Sequence, residues 1–190
     1  MFIREIRGRG YVALYSRLTA PAVPPRPLPR LAPQLPLPAQ PYLPASGRAR
    51  PQLPISQALA ADGAESAGFS PTLFAYGIDA FHAGCCWEAH ECWEVLWRRE
   101  PKTHARRALL QGMILLAAAR VKARQGRPHG AAALHQRALT ALERALAAPG
   151  PAEEGPPDDA GVDVAKLLRD ARAAGAAAAL AITAPDRSPR

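Results

Sequence analysis

The sequence predicts an all-α fold, a compact antiparallel helical bundle of about four to five helices with a disordered Pro-rich N-terminal segment. Residues 70–148 place apolar side chains at helical spacing and show no strand-like alternation. Many of the 21 prolines lie between Pro21 and Pro54 instead, where they are incompatible with a long helix or a central strand. The predicted helices are joined by short connections, which favours antiparallel neighbours.

The first two predicted helices are bounded by clear start and stop signals. Ser70 is a good N-cap, Pro71 suits the first helical position, and Gly84 ends the first helix. Its apolar stripe consists of Phe74, Ile78 and Phe81. The second helix is predicted from about Cys86 to Glu100, where Pro101 stops it.

The third helix should be the central one. It begins near Thr103 and is apolar on almost every side, which is typical of a buried helix. Gly112 within it costs about 1 kcal/mol in helix propensity and suggests close approach of a neighbouring helix. A fourth helix is expected from Pro128 to about Ala148, and a fifth over residues 162–180.

These signals divide the chain into four segments. We expect a mostly disordered Pro/Arg-rich extension at residues 1–68 and a helical bundle domain at residues 69–148. An acidic, Pro-rich linker should follow at residues 149–161. The last segment, residues 162–182, is predicted to be a C-terminal helix packing on the bundle.

Charge and cysteine content limit the classes of partner and compartment. The formal net charge is +8, but residues 1–50 alone carry eight Arg and one Glu, so the positive charge does not predict a nucleic-acid-binding domain. No apolar run is long enough for a membrane span. Three cysteines crowded at positions 85, 86 and 92 favour a reducing compartment, hence the cytoplasm. The Arg-rich, acid-poor start leaves organelle targeting as an alternative.

The second helix carries an unusual mixture of aromatic and ionisable residues. Plotted at 100° per residue, one broad arc contains Trp93, Cys86, Trp97, His90, Glu94, Trp87, Arg98 and Glu91. Tryptophan gains about 2–3 kcal/mol from burial, whereas an unpaired buried carboxylate costs several kcal/mol. Both demands are met only if the polar groups bind one another or a ligand.

Two interpretations of this arc stay open. In the first, a closed polar network locks the helix packing, with Arg98 as the counter-ion and Gln111 as a cross-helix hydrogen-bond partner. In the second, His90, Glu91 and Glu94 bind a divalent metal or a small ligand. Glu88 lies off the arc, early in its helix, and is expected to stabilise the helix dipole or to cap the helix. The candidate site set is His90, Glu91, Glu94, Arg98, Gln111, Trp97 and Glu88.

The sequence supports no single reaction. His90-Glu91-x-x-Glu94 is similar to the H-E-x-x-H of zinc proteases, but Glu94 stands where the second histidine would be. We therefore expect an uncharacterised binding or structural module without a cofactor. A metal-dependent hydrolase using His90, Glu91 and Glu94 is the alternative. An anionic ligand or protein partner could meet the basic residues around the next turn, namely Arg98, Arg99, Lys102, Arg106 and Arg107.

The chain resembles a prokaryotic helical family known only as domain of unknown function 309. The string E-A-H-E-x-x-E-x-x-W-R over residues 88–98 carries the resemblance. Further matches are Phe81, Gly84, Arg107, residues 110–112, residues 117–119, Gly126, residues 130–131 and residues 161–164. Cys86 stands where an aromatic residue is usual, and His82 where an Asn-like residue is usual. The resemblance implies a compact all-α bundle and no established activity.

Overall fold

The fold is all-α in a computed structural model that describes residues 29–66, 68–148 and 162–182, with side chains described as far as residue 175. Its six helices are α1 (Ile55–Ala61), α2 (Pro71–His82), α3 (Cys86–Arg99), α4 (Ala105–Arg124), α5 (Pro128–Ala147) and α6 (Val164–Ile182). The described ranges contain no β-strand, so the predicted fold class is confirmed. Within those ranges, every helix is too short or too polar to cross a membrane.

Helices α2 to α5 lie in chain order, each packed against the next. The N-cap predicted for α2 is present, because Ser70 Oγ accepts a hydrogen bond from Leu73 N at 3.0 Å. Two glycines with positive φ, Gly84 at 79° and Gly126 at 69°, turn the chain after α2 and after α4. These turns reverse the chain within a few residues, which places successive helices side by side.

Helix α4 is the central helix, as its composition predicted. It contacts both α3 and α5 and buries nine residues, most of them leucine or alanine. The close approach expected at Gly112 is found against α5, where a Cβ atom would lie 2.6 Å from Leu142 Cδ2. Only glycine permits this packing without a shift of Leu142.

The N-terminal boundary of the folded part differs from the prediction. Residues 1–28 of the predicted extension lie outside the described residues, but residues 29–54 lie against the helices and lead into α1. Ala32 and Leu35 are each only 1% exposed and belong to the same apolar core as the helices. We call residues 29–54 the strap. Proline excludes regular secondary structure, yet it does not prevent an extended segment from binding to a preformed surface.

The C-terminal helix lies where the sequence placed it, and the predicted linker at residues 149–161 is outside the described residues. Helix α6 packs against α5. Among the side chains of α6 described up to residue 175, the buried ones are Val164, Leu167, Leu168 and Ala171, which follow the 3.6-residue period of an amphipathic helix.

Candidate functional site

Helix α3 carries the polar cluster predicted from the sequence. His90, Glu94 and Arg98 follow one another at i,i+4 spacing and therefore share one face of the helix. Glu94 is the central member of this row. Its Oε1 accepts from Arg98 NH2 at 2.7 Å, and its Oε2 lies 3.5 Å from His90 Nε2. The counter-ion predicted for Glu94 is thus at hydrogen-bonding distance.

The cluster sits at the rim of the bundle and is neither a closed core nor a free surface. The side chains of His90 and Glu94 are 27% and 29% exposed, while that of Arg98 is 68% exposed. Glu91 is half-buried beside them. His90, Glu91 and Glu94 can each offer one ligand atom, and these three atoms lie within 4.8 Å of one another. Water and small solutes can therefore reach three potential metal ligands.

The second ring nitrogen of His90 faces the neighbouring helix. His90 Nδ1 lies 3.5 Å from the carbonyl oxygen of Ile114 on α4. When Nδ1 carries the proton and points at a carbonyl, Nε2 of the neutral ring keeps its lone pair. Metal-binding histidines are commonly held in this way by a backbone carbonyl. The packing of α3 on α4 thereby favours the tautomer in which Nε2 faces Glu94.

Trp97 lies next to this cluster at the end of α3. The Arg107 guanidinium stacks 4.0 Å from the ring centroid of Trp97, a cation–π contact. Arg107 NH1 also donates to the carbonyl oxygens of Trp97 and Glu100, each at 2.6 Å. Trp97 Nε1 is buried and has no acceptor among the described residues. Trp97 and Arg107 therefore tie the end of α3 to the start of α4.

Gln111 makes a different cross-helix contact from the predicted one. Its Oε1 accepts a hydrogen bond from Arg144 NH2 on α5 at 3.1 Å. Gln111 does form a cross-helix hydrogen bond, but the prediction that its partner would be the α3 cluster is wrong. Gln111 projects from the side of α4 that faces α5. Periodicity placed it on an inner face of α4 but could not say which neighbour that face meets.

Glu88 has the largest discrepancy between the predicted role and the observed one. Its side chain is completely buried, and Oε1 accepts from the backbone N–H of Tyr42 in the strap at 2.8 Å. Oε2 is buried and has no hydrogen-bond partner in the described structure. Burial raises the pKa of Glu88, opposed by its backbone hydrogen bonds and by the charges of Arg124 and Arg48. Glu88 is in the first turn of α3, but its main contact is with the strap.

The orientation of α3 explains this discrepancy. Trp93 is 2% exposed and lies in the core, whereas Trp87 and Trp97 are only half-buried. The side chains of Glu88, Ala89, Cys92 and Leu96 are also fully buried, and none of them belongs to the predicted aromatic arc. The predicted arc is therefore split between the core and the rim.

The three cysteines are buried core residues. None of them forms a disulfide. Burial raises the pKa of the Cys85 thiol to about 11 and also raises the pKa values of Cys86 and Cys92. Since the thiolate is the nucleophile, these protonated thiols are poorly suited to covalent catalysis at neutral pH.

Most of the predicted basic surface is used inside the molecule. Arg99 NH1 donates to the carbonyl oxygen of Ala64, and Arg106 NH1 binds Glu100 Oε1 at 3.0 Å. Arg106 also lies over the ring of Phe69. Together with the contacts of Arg107, these interactions leave two well-exposed members of the predicted set, Arg98 and Lys102. An anionic partner at this turn would find less free positive charge than the sequence suggests.

The fold and the site together define an all-helical domain with a His/Glu cluster at its rim. Residues 74–134 match the family described as domain of unknown function (DUF309), which confirms the resemblance found in the sequence. The match covers α2 from Phe74 onward, all of α3 and α4, and the first part of α5, including the whole His/Glu cluster. Neither the curated proteins nor the solved structures contain a significant match to the chain. The matched segment is accordingly an all-helical domain whose family description assigns no function.

Proposed function

We propose that this chain is a binding module whose rim cluster of His90, Glu91 and Glu94 binds a divalent transition metal ion. The observation that carries the proposal is the 3.5 Å separation between His90 Nε2 and Glu94 Oε2. Two ligands held at about 2.1 Å from a zinc ion in tetrahedral geometry lie about 3.4 Å apart. A charge-assisted hydrogen bond would be shorter, at about 2.7–2.9 Å.

The chemistry of the surrounding groups supports the same conclusion. Imidazole and carboxylate are ordinary ligands for zinc and similar ions. The Ile114 carbonyl next to His90 Nδ1 supplies the outer contact that orients a ligating ring. Arg98 competes for Glu94, but it contacts Oε1 and is mostly exposed, so Oε2 can serve a metal while that ion pair persists.

Metal-dependent hydrolysis is a second candidate function, favoured by the accessibility of the cluster. Three protein ligands with side chains open to solvent would leave a coordination position for water, which a catalytic zinc site requires. The second oxygen of the Glu91 carboxylate, left free when the first binds the metal, could accept a proton from that water. A cytoplasmic location fits either function, because three free thiols are typical of a reducing compartment.

Titration of the purified full chain with Co²⁺ and Zn²⁺ tests the proposal. We expect one Co²⁺ per chain, seen as visible d–d absorption that Zn²⁺ displaces. His90→Ala and Glu94→Gln should each weaken binding by at least about tenfold, since each removes one of three ligands. His129→Ala is the matched control, because His129 is exposed on α5, outside the cluster.

The outcomes separate the two candidate functions. Stoichiometric binding that depends on His90 and Glu94 supports the metal-binding module. Hydrolysis of an activated ester or phosphodiester that requires the same residues and the bound ion would add the enzymatic role. Equal binding by the wild type, His90→Ala and His129→Ala would refute the metal site.

A further inference from the structure

The strap is held mainly through its backbone by side chains of the helical bundle. The carboxylate of Asp79 on α2 accepts from Leu31 N at 2.9 Å and from Ala32 N at 2.9 Å. Glu88 on α3 accepts from Tyr42 N at 2.8 Å. Both carboxylates are buried, Asp79 at 7% exposure and Glu88 at 0%. Two buried acids thus receive backbone N–H groups of an extended segment.

The bundle also donates hydrogen bonds to strap carbonyls. Tyr76 Oη on α2 donates to the carbonyl oxygen of Pro36 at 3.3 Å. Gln125, directly after α4, donates through Nε2 to the carbonyl oxygen of Pro44 at 3.0 Å. Proline lacks an N–H group but keeps its carbonyl, so these donors suit a proline-rich chain. Extended proline-rich peptides are recognised elsewhere through similar donors and aromatic rings.

Apolar side chains of the strap fill pockets between these polar contacts. Ala32 and Leu35 are buried among the core residues of the bundle. The ring of Tyr42 meets Trp87 edge-on, with 4.7 Å between the ring centroids. This arrangement combines backbone recognition with a small number of side-chain pockets, which is the usual basis of peptide binding.

The strap contributes little to its own stability. Within its described residues, the backbone-to-backbone hydrogen bonds are Leu35 N to Ala32 O and Ser46 N to Leu43 O. The Arg30 guanidinium also donates to the carbonyl oxygens of Ala32 and Leu35. A segment with so few internal bonds can detach without unfolding the helices, which keep their own ladders. Detachment would also return the buried Glu88 carboxyl, with its unpartnered Oε2, to water.

We propose that this face of the bundle is a binding surface for extended Pro/Leu-rich peptides, and that the strap occupies it as a displaceable internal ligand. The strap-binding face consists of Tyr76, Asp79, Trp87, Glu88 and Gln125. Its partner is a peptide with an apolar residue in the Leu35 pocket and free backbone groups on either side. This surface is distinct from the rim cluster, so the proposal does not depend on metal binding.

The test uses the full chain and a fluorescent synthetic peptide of residues 29–50. In wild type the tethered strap competes at millimolar effective concentration, so peptide binding should be weak. Leu35→Asp in the full chain places a charge in the buried pocket and leaves the strap-binding face unchanged. This variant should bind the peptide at least about tenfold more tightly than wild type does in fluorescence anisotropy, because its own strap no longer competes.

Two controls establish that the peptide binds this face. A peptide carrying Leu35→Asp should not bind the Leu35→Asp chain. Adding Asp79→Ala to that chain should weaken binding of the unmodified peptide by about tenfold, because the carboxylate that accepts hydrogen bonds from two backbone N–H groups of the peptide is lost. A dimer that forms by exchange of straps between two copies would support the proposal, because the same face would then bind the segment in trans.

Hydrogen exchange on the wild-type chain provides a test that does not depend on any variant. The amides of Leu31, Ala32 and Tyr42 should exchange at least about tenfold faster than the core amides of α4. The proposal fails if these amides exchange only together with α4. It also fails if the Leu35→Asp chain keeps its helical circular dichroism and binds no peptide.

Discussion

Helices α2 and α3 approach each other closely at Gly77, and Gly77→Ala is the sharpest test of the core. A Cβ atom there would lie 2.3 Å from Trp93 Nε1 and 2.8 Å from Cδ1 and Cε2. Trp93 is 2% exposed, and its Nε1 donates to the Phe74 carbonyl oxygen at 3.3 Å. The large indole would therefore have to move by about 1 Å to restore ordinary contact distances of about 3.5 Å.

The expected loss of stability follows from three contributions. Overpacking a core costs about 1–3 kcal/mol, and loss of the Trp93 hydrogen bond adds about 1 kcal/mol. Alanine recovers about 1 kcal/mol through its higher helix propensity. Gly77→Ala should thus lower the free energy of unfolding by about 1–3 kcal/mol, and each kcal/mol corresponds to a fall of roughly 2–4 °C in Tm.

Urea denaturation of Gly77→Ala and a matched glycine variant measures this effect. Gly130 on α5 is the control, because a Cβ atom at that position would meet only Lys122 carbons, at 3.9 Å. Gly130→Ala should be neutral or stabilising by up to about 1 kcal/mol. Trp93→Phe should reduce the penalty of Gly77→Ala, since the clashing Nε1 is removed. Wild-type stability of Gly77→Ala would refute the packing described for α2 and α3.

Two further predictions concern the carboxylates beneath the strap. Burial raises the pKa of Glu88 above its ordinary 4.5. The stability that the folded state gains from holding Glu88 in its neutral form is therefore fully present below about pH 4.5, and it is lost as pH rises through the folded-state pKa. Glu88→Gln keeps an acceptor for Tyr42 N but cannot ionise, so it should flatten the dependence of the unfolding free energy on pH above 4.5. A slope of unfolding free energy against pH equal to that of the wild type would contradict this. Asp79→Ala should cost at most about 1–3 kcal/mol and should abolish exchange protection at Leu31 and Ala32, whereas retained protection would show that Asp79 does not hold the strap.

The sequence determined the helices because their signals are local. Ser70 and Pro71 start α2 through one side-chain hydrogen bond and a fixed φ, and Pro101 follows the end of α3. Helix α1 was missed because seven residues between Pro54 and Asp62 carry too little periodicity to distinguish a helix from a loop. The strap was missed because prolines exclude regular structure but say nothing about docking.

The candidate site divides in the same way. The i,i+4 spacing of His90, Glu94 and Arg98 fixes their shared face as soon as α3 is a helix, so this row could be found from sequence. The partners on neighbouring helices could not be found from sequence. Gln111 binds Arg144 on α5, and His90 faces the Ile114 carbonyl on α4. Those contacts depend on how each helix is rotated about its axis, which only the packing decides.

The sequence by itself determined that this protein is a helical bundle and that one helix carries a row of acids and an imidazole. Only the tertiary structure decided that Glu88 is the completely buried acid of α3 and that Glu91 and Glu94 remain at the rim. The physical reason is that periodicity gives the angle between side chains on one helix, whereas burial depends on which other part of the chain packs against each side chain. Glu88 is contacted by the strap, through a residue that lies more than forty positions away in the chain.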